Sequence, residues 1–110
     1  MSYEAFKLQG FNKSNPFISS QITLANKNFT FEVRWDFTFD FGYVVIRDEN
    51  NKVILGSTAL VNGLVIKLDQ RILPGYLKFA HINGEQYEPE INIIEEEFIF
   101  YHVNEKSFNC

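Results

Sequence analysis

Alternation of apolar and polar residues is the dominant pattern along this chain. The clearest instance covers residues 29–35, where Phe29, Phe31, Val33 and Trp35 occupy alternate positions with polar residues between them. Successive side chains of a β-strand point to opposite faces, so this segment is predicted to be a strand with one apolar face. No window of the sequence has the spacing of an amphipathic helix. The pattern therefore predicts an all-β fold.

Turn residues divide the chain into short strands. Asn62-Gly63 is the strongest hairpin signal, since both residues tolerate a positive φ, and it is predicted to join a strand at 58–61 to one at 64–68. Pro74-Gly75 predicts a turn into a further strand. The remaining predicted strands cover 18–25, 43–47, 53–55, 76–82 and 98–103. About seven strands at such spacing are typical of an antiparallel sandwich or a small barrel.

The aromatic segment after residue 29 is too long for one ordinary strand. The same alternating phase continues from Trp35 through Phe37 and Phe39 to Phe41. A strand of that extent would be about twice the usual five or six residues. The chain is therefore predicted to bend sharply or to turn near Asp36 to Asp40.

The domain organisation follows from length and from the N-terminal pattern. A chain of 110 residues is typical of one domain. We expect an N-terminal arm over 1–17, a single β domain over 18–103 and a polar tail over 104–110. Pro16 blocks extension of the arm into the first predicted strand. Two alternatives for the apolar residues of the arm stay open: they cover their own domain, or they contact a neighbouring subunit.

Six apolar residues on consistent phases of separate strands are predicted to form the core: Phe31, Val33, Val44, Ile46, Leu77 and Phe79. Three segments, 43–46, 64–66 and 98–101, are apolar on both faces. A sheet with one wet face should alternate cleanly, so these strands need cover on their second face. A closed barrel with bulky filling residues and a buried assembly interface both satisfy that need.

Charge and composition narrow the classes of partner. The net charge is −4, and the ten basic residues are scattered, which argues against a nucleic-acid partner held by phosphate contacts. No apolar run approaches the roughly 20 residues that span a bilayer, so no membrane partner is expected. The N-terminus lacks a secretion signal, and synthesis in a cytoplasm is the default expectation. Cys110 is the only cysteine, which excludes an internal disulfide.

Candidate catalytic groups do not form a recognised motif. His81 and His102 lie in strand-like runs, outside any cluster with the spacing of metal ligands. The Glu95–Glu97 run is interpreted as a solvated flank, and an Asp36/Asp40 pair has only residue type in its favour. The sequence contains neither GxSxG nor a P-loop. We therefore expect no enzyme activity, no cofactor and no metal.

The aromatic residues near the N-terminus and around Trp35 are the candidate assembly contacts. Trp and Phe concentrate at the cores of protein interfaces, so the segment 35–41 is a candidate anchor for a partner. The alternative is a hairpin whose rings form the core of the domain itself. The candidate contacts are Tyr3, Phe6, Phe11, Phe17, Trp35, Phe37, Phe39 and Phe41.

The order of several motifs resembles a known family. The motifs are Trp35 in an aromatic strand, Gly42-Tyr43-Val44-Val45-Ile46-Arg47-Asp48, an Asn-rich turn, Ile54-Leu55, Leu60-Val61-Asn62-Gly63, Arg71-Ile72-Leu73-Pro74-Gly75-Tyr76-Leu77 and Phe98-Ile99-Phe100-Tyr101-His102-Val103. This layout is similar to the small plug-type proteins of contractile-tailed phage baseplates. The similarity covers residues 18–103, and the N-terminal segment and the Cys-terminated tail depart from it.

The resemblance implies a virion protein of the inner baseplate, close to the tube end and the central hub. Its partners would be other tail proteins (hub, tube or wedge subunits), and its work would be mechanical. A rival hypothesis is a carbohydrate-binding or other small ligand-binding β-sandwich, which would expose Trp35 or Tyr43 as a platform. A small barrel enzyme is a second rival, which would need a concave pocket with titratable groups.

Overall fold

The computed structural model describes residues 2–104, with side chains from residue 4 onward. These described residues fold into eight strands and one short helix. The elements are β1 (Ser2–Lys7), β2 (Phe17–Leu24), β3 (Lys27–Asp36), β4 (Phe41–Arg47), β5 (Val53–Ala59), β6 (Leu64–Ile66), β7 (Tyr76–His81), α1 (Ile94–Glu97) and β8 (Phe98–Asn104).

The strands form two antiparallel sheets that pack together as a sandwich. Sheet I has the order β1-β8-β7-β6, and sheet II has the order β2-β3-β4-β5. Sheet II is a meander in which each strand pairs with the next in the chain. The predicted all-β class is confirmed. Of the two predicted architectures the sandwich is correct, because each sheet ends in two edge strands and does not close on itself.

The core lies between the sheets, and all six residues predicted for it are buried. Phenylalanine rings make up its centre. The Phe79 ring lies 4.8 Å from that of Phe100, which lies 5.6 Å from that of Phe31 in the opposite sheet. Ring pairs at such distances stabilise a core beyond the area that they bury. The two sheets are therefore joined by a continuous aromatic cluster.

The N-terminal segment differs from the predicted arm, because its first strand belongs to the fold. Residues 2–7 form β1, which pairs with β8, and Phe6 lies opposite Phe100. Leu8 and Phe11, which follow β1, are buried in the core. Too few positions alternate in this short segment for the pattern to predict a strand. The bounds of the domain stay a prediction, and residues 105–110 of the predicted tail, including Cys110, lie outside the described residues.

The predicted hairpin at Asn62-Gly63 is wrong, because this turn connects the two sheets. The preceding strand β5 pairs with β4 in sheet II, and β6 pairs with β7 in sheet I. The Asn62 side chain donates to the carbonyls of Glu85 (2.7 Å) and Tyr87 (2.9 Å). Asn62 therefore anchors a distant loop, while Gly63 supplies the positive φ of the turn.

The strands predicted to be apolar on both faces have one face in the core and the other partly open. Val44 and Phe100 are buried, whereas the neighbouring Val45 and Tyr101 on the outer faces are half-buried. Val65 on β6 is 53% exposed. The second faces are therefore not covered by a closed barrel, and the apolar surplus remains at the surface of the sandwich.

Candidate assembly surface

The loop between β3 and β4 turns the aromatic segment back on itself. Its conformation is set by Asp36, whose Oδ1 accepts hydrogen bonds from the backbone N–H groups of Thr38 (2.8 Å) and Phe39 (3.2 Å). A carboxylate that bonds amides two and three residues ahead stabilises a turn. Asp40 has a φ of 56° and completes the return into β4. Of the two predicted alternatives, a sharp bend and a turn near Asp36 to Asp40, the turn is correct.

This loop and the adjoining strand ends expose a group of phenylalanines, which we call the aromatic tip. Phe37 is 52% and Phe39 is 76% exposed, and both lie in the loop. Phe41, at the start of β4, is 36% exposed, and Phe17, at the start of β2, is 41% exposed. A single exposed apolar residue is ordinary, but a contiguous group is typical of an interaction site.

Two polar side chains extend the aromatic tip along the outer face of sheet II. Phe17, Arg34 and Tyr43 lie opposite one another across three neighbouring strands. The Arg34 guanidinium lies 4.6 Å from the centroid of the Phe17 ring, and the rings of Tyr43 and Phe41 are 6.0 Å apart. The cation over the ring is an attractive contact that orients Phe17. The sequence pattern missed Arg34 because only the strand register shows that it faces Phe17.

Trp35 supports the aromatic tip from the core side. Trp35 is 4% exposed, and its ring packs against Gly42, where an added Cβ would lie 3.0 Å from the ring carbon Cε3. Any larger residue at position 42 would displace the indole. No described residue accepts a hydrogen bond from the buried indole N–H. Trp35 is thus a core residue beneath the loop rather than an exposed contact.

The structure divides the predicted contacts into exposed and buried residues. Phe17, Phe37, Phe39 and Phe41 are the exposed residues of the aromatic tip, and Phe11 and Trp35 belong to the core. Phe6 is half-buried, and its ring packs 5.1 Å from Phe31 and 5.4 Å from Phe100. The backbone of Tyr3 lies in β1 opposite Val103, and its side chain lies outside the described part.

A protein-family model matches residues 10–105, which is most of the chain, and its description is "Cyanophage baseplate Pam3 plug gp18". The chain belongs to this family. No curated protein matches it at a significant level.

Membership of the baseplate plug family confirms the resemblance inferred from the motifs. The protein is a structural component of a phage baseplate, and its place is in the virion tail. It therefore assembles with other phage tail proteins. Trp35, one of the two rings that a sugar-binding platform would expose, is buried in this plug protein.

A polar cluster of the plug protein surrounds His81 at the end of β7. His81 Nδ1 accepts from the backbone N–H of Asn83 (3.0 Å), so its Nε2 carries the proton. Nε2 lies 2.8 Å from the Tyr87 hydroxyl and 3.1 Å from Glu97 Oε1. The Tyr87 hydroxyl donates to the same carboxylate oxygen of Glu97. The three side chains tie the 82–97 segment to β7 and β8.

Hydrogen bonds shift the pKa values of Glu97 and Tyr87. The hydrogen bonds from Tyr87 and then His81 hold the pKa of the Glu97 carboxyl below its ordinary value. The bond to Glu97 also raises the pKa of Tyr87 to about 12. A carboxylate that already accepts two hydrogen bonds is a weaker base. The arrangement is therefore suited to holding a loop.

His102 has a comparable structural position in β8. It is buried, and its Nε2 donates to the carbonyl of Pro74 at 2.6 Å. Its Nδ1 lies 3.3 Å from the Glu4 carboxylate, which also accepts from the backbone N–H of Ala25. His102 and Glu4 thus connect β1, β8 and the turn between β2 and β3.

Among residues 2–104, no group of three or more His, Cys, Asp or Glu side chains could hold a metal ion. Within the same part of the chain, no helix is long and apolar enough to cross a membrane.

Proposed function

We propose that this plug protein is a non-catalytic subunit of the inner baseplate that docks onto a hub, tube or wedge protein through the aromatic tip. The observation that carries the proposal is the exposure of Phe17, Phe37, Phe39 and Phe41 at one end of sheet II. Phe37 and Phe39 stabilise the isolated domain little, because more than half of each side chain's surface faces water.

The aromatic tip has the composition of an interface centre. Burying a phenylalanine side chain contributes about 1.5–3 kcal/mol relative to leaving it exposed, so several rings together make a substantial docking energy. Arg34, Asp36 and Asp40 surround the rings with charge. An apolar centre with a polar rim is the usual anatomy of a protein interface. The loop is also preorganised by Asp36, which reduces the entropy lost on docking.

The polar clusters support the absence of catalysis. The Tyr87 hydroxyl and His81 Nε2 both bond to Oε1 of Glu97, and His102 is buried against the Pro74 carbonyl. Two hydrogen bonds make the Glu97 carboxylate a weaker base, and burial separates the His102 ring from a substrate. We further propose that the protein is synthesised in the host cytoplasm and joins the tail there during assembly.

The test is incorporation of a Phe37→Ser/Phe39→Ser variant into baseplates during assembly of the phage. We expect the variant to keep its circular dichroism spectrum and its melting temperature but to be lost from purified tails. The matched control is Val53→Ser/Val65→Ser, which removes two exposed apolar side chains away from the aromatic tip. Normal incorporation of the aromatic-tip variant would overturn the proposal, as would equal loss of the control.

A further inference from the structure

The four edge strands of the sandwich differ in how well they are protected against pairing with another strand. Natural edge strands are shielded by charged residues, bulges or short length. β1 carries Glu4 and Lys7, β5 has irregular register against β4, and β6 has only three residues. β2 (Phe17–Leu24) has eight residues, no charge and no proline, and it pairs with β3 in unbroken register. β2 is the unprotected edge.

The backbone groups that β2 directs away from the sheet follow from its register. The Trp35 N–H donates to the carbonyl of Pro16 at 2.9 Å, so this pair is a hydrogen-bonded pair of the ladder. Bonded and non-bonded pairs alternate in an antiparallel ladder. Ile18, Ser20 and Ile22 therefore bond to β3. The N–H and C=O groups of Phe17, Ser19, Gln21 and Thr23 point to the open edge, where no strand of residues 2–104 pairs with them.

A cleft of about 650 Å³ lies beside this edge, where β2 of one sheet faces β1 of the other. Ser20 and Ile22 line one side, Phe6 and Lys7 line the other, and Glu95 and Glu96 of α1 also lie on its wall. Phe6, Ser20 and Ile22 are only half-buried. A further strand on β2 would direct alternate side chains into this cleft and the others to the outer face.

We propose that the edge of β2 receives an extended segment of another baseplate protein, which pairs with β2 and inserts alternate side chains into the cleft, an apolar one against Phe6 and Ile22 and a basic one towards Glu95 and Glu96. The inference rests on the proposed assembly role but uses the edge of β2, which shares only Phe17 with the aromatic tip. Main-chain hydrogen bonds provide the affinity of such strand addition, and the cleft provides the side-chain selectivity.

A second copy of this chain fits the site less well than a separate extended segment. The inward side chains of β2 at its two ends, Ile18 and Leu24, are already buried in the core of their own domain. Self-pairing of two β2 edges would therefore cover the cleft without filling it. We therefore expect the partner to be an extended segment whose side chains are not already buried in a domain of its own.

The test uses synthetic 15-residue peptides that tile the hub, tube and wedge proteins of the same phage. Binding to the full chain is measured by fluorescence anisotropy, and the edge is located by amide hydrogen exchange. We expect at least one peptide to bind and to slow exchange at Ser19 and Gln21. Gln21→Pro removes an outward N–H and leaves the ladder to β3 intact, so it should weaken binding on the order of ten-fold or more.

Gln21→Ala is the matched control, because it removes the side chain but keeps the N–H, and it should bind within about two-fold of the native chain. Ser20→Lys is a second variant that fills part of the cleft with a long basic side chain without touching the outward backbone, and it should also weaken binding. Circular dichroism verifies that each variant folds.

Three results would overturn the inference: no peptide protects the outward amides, Gln21→Pro binds as the native chain does, or the chain alone dimerises through β2. If Phe37→Ser/Phe39→Ser is lost from tails while Gln21→Pro is incorporated and binds the peptides normally, docking by the aromatic tip stands and strand addition fails.

Discussion

Two Phe-X-Phe segments of this chain have the same spacing and opposite surroundings. Phe98 and Phe100 on β8 are fully buried, whereas Phe37 and Phe39 are the two most exposed phenylalanines among residues 4–104. Phe98 and Phe100 belong to a central strand of sheet I, which packs between β1 and β7. Phe37 and Phe39 continue the same alternating pattern, but they follow Asp36, whose carboxylate stabilises a turn at this point. The contrast teaches that a turn-forming side chain can convert a core pattern into a surface for partners.

The largest effect is expected from the buried group. Phe79→Ala removes a ring that contacts both Phe98 and Phe100, and it should lower the free energy of unfolding by about 3–5 kcal/mol, because a cavity is left in the core. Urea denaturation of the purified chain measures this. A midpoint close to that of the native protein would show that the aromatic cluster is not the main core.

The second largest effect is expected from the Asp36 turn, which separates the exposed phenylalanines from the alternating pattern of β3. Asp36→Ala removes the acceptor for two backbone N–H groups of the loop, and we expect a loss on the order of 1 kcal/mol. Asp36→Asn keeps an acceptor oxygen and is the matched control. The same denaturation assay applies. If the two variants are equally stable, the turn does not depend on the side-chain hydrogen bonds.

A pH titration tests whether the His81–Tyr87–Glu97 cluster stabilises the fold, as the buried phenylalanines do. The pKa of Glu97 is lower in the folded chain than its ordinary value of 4.5. The folded state therefore binds the proton less readily than the unfolded state, and this contribution is present above about pH 4.5 and lost as the pH falls through the folded pKa.

Replacement of the carboxylate should remove this contribution. Thermal melts of Glu97→Gln between pH 3 and pH 7 should show a weaker decline of stability on the acidic side than melts of the native chain. The control is Glu96→Gln, which changes an exposed neighbour. Parallel acid profiles for native and Glu97→Gln chains would show that the cluster does not stabilise the fold.

The smallest effect on stability is expected at the aromatic tip. Phe39→Ser changes a ring that is largely in water, and the free energy of unfolding should shift by no more than about 0.5 kcal/mol. A chemical denaturation curve measured beside that of Phe79→Ala is the check. A loss as large as that of the buried ring would mean that Phe39 serves the fold, which would leave the docking proposal without its main residue.

Local pattern was sufficient for the strands of sheet II and for the core. Phe31, Val33, Val44 and Ile46 alternate within strands that pair with their neighbours in the chain, so short-range information predicts their burial. The Asp36–Asp40 turn was also predictable, because the apolar phase is too long for one strand.

The local pattern failed where strands pair with partners far away in the chain. β1 is a strand because it pairs with β8, and the pattern of residues 1–17 does not indicate this pairing. Asn62-Gly63 has the local chemistry of a hairpin, yet its flanking strands find their partners in different sheets. For the candidate contacts, Trp35 and Phe37 have the same phase in the sequence, and only the position of the turn separates the buried ring from the exposed one.

The pairing of β1 with β8 has a consequence for folding during synthesis. Glu4 and His102 are opposite each other in sheet I although 98 residues separate them. At a synthesis rate of about 5–20 residues per second, β8 is made roughly 5–20 seconds after β1. Sheet II can form during this interval from successive hairpins, with its inner face still uncovered. We therefore expect a nascent chain that lacks β8 to bind chaperones, and closure of sheet I to release it.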